Sequence, residues 1–258
     1  MDPLSKLIKG SLGSTVISLA TLDSTNTFAM ELGEKGAAHG TVVLAESQTR
    51  GRGRLGRQWV SCPGRNILMS VILRPALESG SQTFLTIMAG VAAAKTLRES
   101  IGLQVGIKWP NDLMVSGKKL GGILVETRSA QGKMHFAVIG MGINVNSEVK
   151  DFPPHMIEMA TSIRIETGRE HSRTVLIAGI LNEMDYWYHT ILMSKGRSAI
   201  LRRWRDLTAT LGKTVRVTLA DETLTGIAED IDKEGMLLVR LPSGAIRTIN
   251  SGDVSLLR

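Results

Sequence analysis

The chain has 258 residues, 31 Lys and Arg against 24 Asp and Glu for a net charge of +7, and a single Cys. One Cys excludes an intramolecular disulfide framework and a cysteine-rich zinc site and suits a reducing, cytoplasmic compartment; 43% apolar and 21% charged residues exclude a disordered or fibrous chain. The longest apolar stretch, Phe84–Ala94, is far shorter than the roughly 18 to 20 residues of a bilayer span, so no membrane segment is expected.

At the start, Lys6 and Lys9 precede a stretch, Ser11–Leu22, with the outline of a secretory signal. Gly, Ser and Thr interrupt its apolar part and no A-x-A site follows, so secretion is not expected. Asp23, Ser24, Thr25 and Asn26 then stand before Thr27–Glu34, which reads as a helix. Any of them can cap it, and such small polar residues can equally hydrogen-bond a neutral polar ligand. Thr41–Glu46 reads as a strand, and so does Ile67–Leu73. The latter is almost continuously apolar, which predicts helices on both faces of its sheet.

Between those strands lies Gly51–Trp59, GRGRLGRQW. Its glycines permit a backbone nest for an anion, and its arginines add charge and bidentate donors. It lacks the G-K-[ST] of a phosphate loop and precedes a strand, unlike a dinucleotide fingerprint. A solvated Arg-Gly loop of the kind that binds RNA is the alternative for this segment alone. Arg50, Arg52, Arg54, Arg57 and Arg65 fall within sixteen residues that contain no acid. From Leu211 onward six basic and seven acidic residues leave −1, so the first 210 residues hold +8. The excess charge is therefore local.

Thr83–Ile101 follows helical spacing and ends at Gly102. Lys108–Asp112, KWPND, reads as a turn that aims Asn111 and Asp112 into a cavity, or as a plain surface hairpin. Lys119–Glu126 and Met134–Val145 read as strands. Within the second, Gly140–Asn146 (GMGINVN) permits close backbone approach and offers Asn144 to a flat heterocycle, although a strand-end turn explains it as well. Asn146–Ile165 reads as an irregular surface segment. Helices are expected over Thr174–Met193 and Ser198–Thr210. From Lys213, short alternating segments separated by turn residues predict a small antiparallel barrel, with the domain break near Leu211.

In this order and approximate spacing, DSTN (23–26), ESQ (46–48), GRGRLGRQW (51–59), KWPNDL (108–113), KKLGGILVE (118–126) and GMGINVN (140–146) resemble the motifs of biotin protein ligases, over essentially the whole chain. The resemblance implies an α+β fold: a mixed β-sheet with packed helices, of the class II aminoacyl-tRNA synthetase and biotin ligase type, plus a small C-terminal SH3-like β-barrel. The catalytic domain would be residues 1–210 and the SH3-like domain residues 211–258. It implies ATP-dependent transfer of biotin, through biotinyl-5′-adenylate, to a lysine of a biotin carboxyl carrier protein or domain. Biotin and ATP are then substrates, with Mg²⁺ on the phosphates. Some members carry an N-terminal helix-turn-helix. Only 22 residues precede DSTN here, so no DNA-binding domain is expected. The oligomeric state, a homodimer included, is left open.

Carried onto matching positions, the resemblance implies that Ser24, Thr25, Asn26 and Gln48 hold the biotin ring. Arg52, Gly53 and Arg54 form a lid over the adenylate, with Arg57 and Trp59 fixing the loop or, for Trp59, simply packing. Lys119 meets the biotin carboxylate or acyl phosphate, Asn111 and Asn144 meet adenine, and Asp112 orients the acceptor lysine. Lys119, Arg54 and Asp112 are the expected catalytic residues, and Cys62 is an incidental thiol. The local cations then have a physical purpose. Bringing a carboxylate to within about 4 Å of a phosphate charge costs roughly 4 kcal/mol at an effective dielectric of about 20, and the arginines and lysines offset that repulsion. Two rivals remain at this stage: a lipoate ligase or octanoyltransferase of the same fold, and a nucleic-acid binder that uses the Arg-Gly loop with the LRRWR stretch around Trp204.

Overall fold

A computed structural model describes residues 4–75, 77, 78, 80–193 and 195–257. A seven-stranded mixed sheet has the order β1-β2-β3-β7-β6-β5-β4. Its members are β1 (Thr15–Leu22), β2 (Thr41–Gln48), β3 (Ile67–Leu73), β4 (Gly106–Lys108), β5 (Asp112–Val115), β6 (Lys118–Ala130) and β7 (Lys133–Ile143). Only β1 and β2 run parallel, joined through helix α1 (Thr25–Glu34); the other pairings are antiparallel.

Every residue of β3 is buried, and alternation along the strand assigns its two faces. Ile72 packs with Val43, Val138 and Phe136 under Ala29 and Met30 of α1. Met69, Val71 and Leu73 instead join the main core with α2 (Gln82–Ile101). That helix is apolar nearly all round because α4 (Arg173–Ile191) and α5 (Gly196–Leu207) cover its outer side, as expected of a helix between two layers. Gly102 stops it in the left-handed conformation, φ 71°, its N–H bonded to the Arg98 carbonyl.

The C-terminal strands β8 (Thr214–Thr218), β9 (Thr223–Ile231), β10 (Leu237–Arg240), β11 (Ile246–Ile249) and β12 (Asp253–Leu256) pair antiparallel in the order β11-β10-β9-β8-β12. This is the expected small antiparallel SH3-like unit, in an open order: no ladder among the described residues joins β11 to β12. Apolar contacts run unbroken from the large sheet into this one. Fully buried Trp109 anchors the junction, its Nε1 donating to the Gly235 carbonyl and its backbone N–H to Thr210 Oγ1.

Other expectations change in detail. Part of the signal-like stretch is β1, tied into the sheet by a full ladder to β2. KWPND is a hairpin between β4 and β5 with a cis Trp109–Pro110 peptide, but it is an interior hairpin and not a surface one. The segment expected to be irregular carries two single 3₁₀ turns and the start of α3 (Ile163–Thr167), capped by Ser162. In place of the Ser198–Thr210 helix, α5 runs from Gly196 to Leu207. Among the described residues no helix is long and apolar enough to cross a membrane.

Candidate active site

A cavity of about 610 Å³ opens where the start of α1, the Gly51–Trp59 loop, the β4–β5 hairpin and the open ends of β6 and β7 converge, with β12 at its rim. Ser24, Thr25, Asn26, Gln48, Arg52, Gly53, Arg54, Arg57, Trp59, Asn111, Asp112, Lys119 and Asn144 all line it. Its size suits a small-molecule substrate.

One end is neutral and hydrogen-bonding. Ser24 caps α1, and the buried Thr25 and Asn26 follow in its first turn. Thr25 donates from its backbone N–H (2.7 Å) and its Oγ1 (3.0 Å) to Gln48 Oε1, which leaves the Gln48 amide nitrogen as the group that can meet a ligand. Asn26 is fixed from three sides: Nδ2 donates to the Leu124 carbonyl and to Glu126, and Oδ1 accepts from buried Ser70 Oγ at 2.7 Å. This fit needs glycine at 140, where a Cβ would stand 2.0 Å from Asn26 Oδ1.

The other end is cationic. Asp112, at the start of β5, bridges two ammonium groups, Lys119 at 2.6 Å and Lys108 at 3.3 Å. Lys119 Nζ also stands 5.9 Å from the centre of the Trp59 ring, and that ring lies on Gly142, where a Cβ would come within 2.5 Å of it. Arg54 donates to Asn111 Oδ1, and Asn111 in turn donates to the Ile123 carbonyl. Burial pushes the Arg54 guanidinium below its usual range, yet an arginine there stays charged. Trp59 Nε1 and Asn144 Oδ1 are buried without a hydrogen-bond partner. Both belong to residues that line the cavity, though neither atom is itself open to it.

The loop is less of an anion nest than its glycines imply. Gly53 N–H is spent on the Arg57 carbonyl and Trp59 N–H on the Gly51 carbonyl, closing the loop as a narrow hairpin. Its arginines also separate. Arg65 turns away to Glu148 and Asp151; hydrogen bonds from Lys150 and Arg65 hold the Glu148 carboxyl down at about 2. Arg52 makes a two-pronged pair with Glu126, and Arg57 another with Asp253 of β12.

Glu126, Ser70 and Asp253 were not singled out from the sequence. Parity could have found Glu126, which stands two residues past Leu124 on the same strand face. Nothing local marks Asp253, which lies 196 residues from Arg57. The Arg57 hydrogen bond holds the Asp253 carboxyl below its usual range, and raises Arg57 in return. A lowered carboxylate adds stability above its unfolded value and loses it as pH falls through the folded one. With both partners partly exposed, the loss in Asp253→Asn at neutral pH is expected to stay below about 1 kcal/mol. Urea midpoints of the variant and the unsubstituted chain should therefore differ slightly at pH 7 and converge as the pH falls through the lowered Asp253 range.

The Arg-Gly nucleic-acid clamp fails on geometry. Trp204 is wholly buried, and Arg205 is paired with Asp230.

Residues 18–144 match the model of the biotin/lipoate A/B protein ligase family, and residues 210–257 match that of the biotin protein ligase C-terminal domain. The bifunctional ligase/repressor BirA of Bacillus subtilis is 37% identical over 245 residues, covering 95% of this chain and 75% of that protein. The biotin--[acetyl-CoA-carboxylase] ligase of Mycobacterium tuberculosis is 31% identical over 246 residues, covering 93% of this chain and 88% of that one. Among solved structures, the biotin protein ligase of Aquifex aeolicus in complex with biotin and ATP superposes with a TM-score of 0.80 at 28% identity, over 95% of this chain and 99% of that one. Two family models in sequence order, and close relatives covered over most of their length, show that the chain belongs to the biotin/lipoate A/B protein ligase family, as a biotin protein ligase.

Proposed function

We propose that the chain activates biotin with ATP and transfers it to a lysine of a biotin carboxyl carrier domain. The observation that carries this reading is the polarity of a single cavity: neutral hydrogen-bonding groups at one end, lysines and an arginine at the other. A ureido ring fits the first. A carboxylate meeting a triphosphate needs the second.

In the first step a biotin carboxylate oxygen bonds to the α-phosphorus while the bond to the leaving pyrophosphate breaks. Lys119 is placed to stabilise the charge that gathers there, and Asp112 holds Lys119 in position. In the second step the neutral amine of the acceptor lysine bonds to the acyl carbon, the acyl–phosphate bond breaks, AMP leaves, and the proton shed by the nitrogen passes to water or to the departing phosphate. Asp112 would orient that lysine by exchanging it for Lys108, the longer of its two present ion pairs at 3.3 Å. Asn111 and Asn144 are assigned to adenine. Arg52, Gly53 and Arg54 serve as the lid, with Arg57 and Trp59 fixing it. We assign residues 1–210 to the catalytic unit and 211–258 to a C-terminal unit that supplies Asp253 to the rim.

Mg²⁺ would enter on the nucleotide. Among the described residues no three His, Cys, Asp or Glu side chains gather to hold a metal, and Asp112 is already engaged by two lysines. Its ligands would be chiefly phosphate oxygens and water. The biotin-specific C-terminal match favours biotin over lipoate as the acid.

Calorimetric titration tests the acid directly: biotin should bind at micromolar concentration or below while lipoate does not, and tight lipoate binding would overturn the assignment. The lid makes a separate prediction. Arg54→Gly loses the bond to Asn111 and a half-buried charge at the cavity, so biotinyl-adenylate should escape at least about tenfold faster and label lysines of a bystander protein. Mass spectrometry of added albumin reads this, and an unlabelled albumin would contradict the lid.

A further inference from the structure

Resting on the biotin-ligase reading, we infer that Glu126 is a positioning residue that couples the biotin end of the cavity to the arginine loop. Glu126 is not among the residues that line the cavity. It sits behind them with both carboxylate oxygens committed. Oε1 accepts from Arg52 Nη2 at 2.8 Å, and Oε2 accepts from Arg52 Nη1 and from Asn26 Nδ2, each at 3.0 Å.

The connection continues on the far side of Asn26. Asn26 Oδ1 accepts from Ser70 Oγ, which also lies 2.8 Å from Thr25 Oγ1, and Thr25 donates to Gln48. Hydrogen bonds thus join the exposed loop arginine through Glu126 to Asn26, which is assigned to the biotin ring; the one Ser70 hydroxyl proton serves Asn26, and Thr25 stands beside it in polar contact. Donor and acceptor roles are fixed on both sides of Glu126, because Arg52 and the Asn26 amide nitrogen can only donate. An acceptor-only group is required between them. A glutamine at 126 has one acceptor oxygen and must turn its own amide hydrogens toward Arg52 or toward Asn26, so one connection is lost.

Ordering of the loop and placement of the biotin ring therefore share one carboxylate. A ring that seats Asn26 firmly also seats Glu126 and thereby Arg52. An unseated Asn26 leaves the loop without that support. Coupling through a shared group is reciprocal.

The test begins without ligand, using limited trypsin digestion of the full chain at Arg54 and Arg57. Asn26 hydrogen-bonds to Leu124, Glu126 and Ser70 and not to the loop, yet Asn26→Ala should speed cleavage about fivefold when Glu126 is present. Glu126→Gln should speed it about tenfold, and adding Asn26→Ala to Glu126→Gln should change it no further. Cleavage of Asn26→Ala at the unsubstituted rate, or the same acceleration in both backgrounds, would overturn the coupling. Thermal unfolding midpoints control for global loosening. If Glu126→Gln does not fold, Arg52→Gln breaks the same connection from its exposed end and should likewise abolish the effect of Asn26→Ala. In a second arm, calorimetry with biotin alone should show about tenfold weaker binding to Glu126→Gln, and unchanged affinity would contradict the inference. An unsubstituted chain that binds no biotin would defeat the ligase reading, while the cleavage arm still decides the coupling.

Discussion

Lys119→Ala is expected to lower the rate of pyrophosphate release by about 10²- to 10³-fold, the scale on which a single donor to a developing oxyanion acts, while the protein stays folded. Lys119 leaves β6 where its ammonium meets Asp112 at 2.6 Å and overlies the Trp59 ring. Its backbone is secured independently: N–H to the Met159 carbonyl and C=O to Thr161 N–H. Truncating the side chain therefore leaves the strand in place, with Asp112 still paired to Lys108. The partly exposed ion pair that is lost is worth at most about 1 kcal/mol of stability. Single-turnover pyrophosphate release, with a urea melt as control, separates chemistry from folding. A near-normal rate would remove Lys119 from the reaction.

Gly140→Ala is expected to weaken biotin binding by about 10²-fold or more and to destabilise the fold by about 1 to 3 kcal/mol, the range for overpacking a close-packed site. The added carbon would lie 2.0 Å from Asn26 Oδ1 and 2.6 Å from its Cγ. Asn26 cannot step aside without breaking its bonds to Leu124, Glu126 and Ser70. Nor can β7 easily retreat, since Gly140 is paired to Ser70 of β3 on one side and Leu124 of β6 on the other. The collision therefore falls on the side chain assigned to the ligand. Biotin calorimetry and urea unfolding read the two effects, and an affinity equal to that of the unsubstituted chain would show that Asn26 does not govern the pocket.

Gly140 also marks the limit of what the sequence makes legible. A lone GxGxN is explained by a strand-end turn, and only the fold reveals that Asn26, more than a hundred residues earlier, occupies the space its missing Cβ leaves. Ile67–Leu73 and the helix after it were readable because burial on two faces and helical spacing are written into local hydrophobicity. The cavity residues were readable because polar and glycine-rich motifs interrupt those apolar runs. Their partners were not. Ser70 is a serine inside an apolar strand, Glu126 an acid on a half-exposed one, and Asp253 belongs to the other sheet; each acquires its role from pairing that no local pattern encodes. The loop shows the converse error. Its glycines permit an anion nest, yet hydrogen bonding within the loop consumes the amides of Gly53, Arg57 and Trp59, and its arginines disperse to separate acids. A net charge concentrated in sequence is thus divided in space: Arg54 stands half-buried against Asn111, while Arg52, Arg57 and Arg65 are each paired with acids.

The most direct measurement is intact mass spectrometry of a purified biotin carboxyl carrier domain incubated with the protein, biotin and ATP. One biotinyl group on a single lysine, absent when ATP is omitted, is the expected result. An unmodified carrier, modification without ATP, or efficient transfer of lipoate in place of biotin would contradict it.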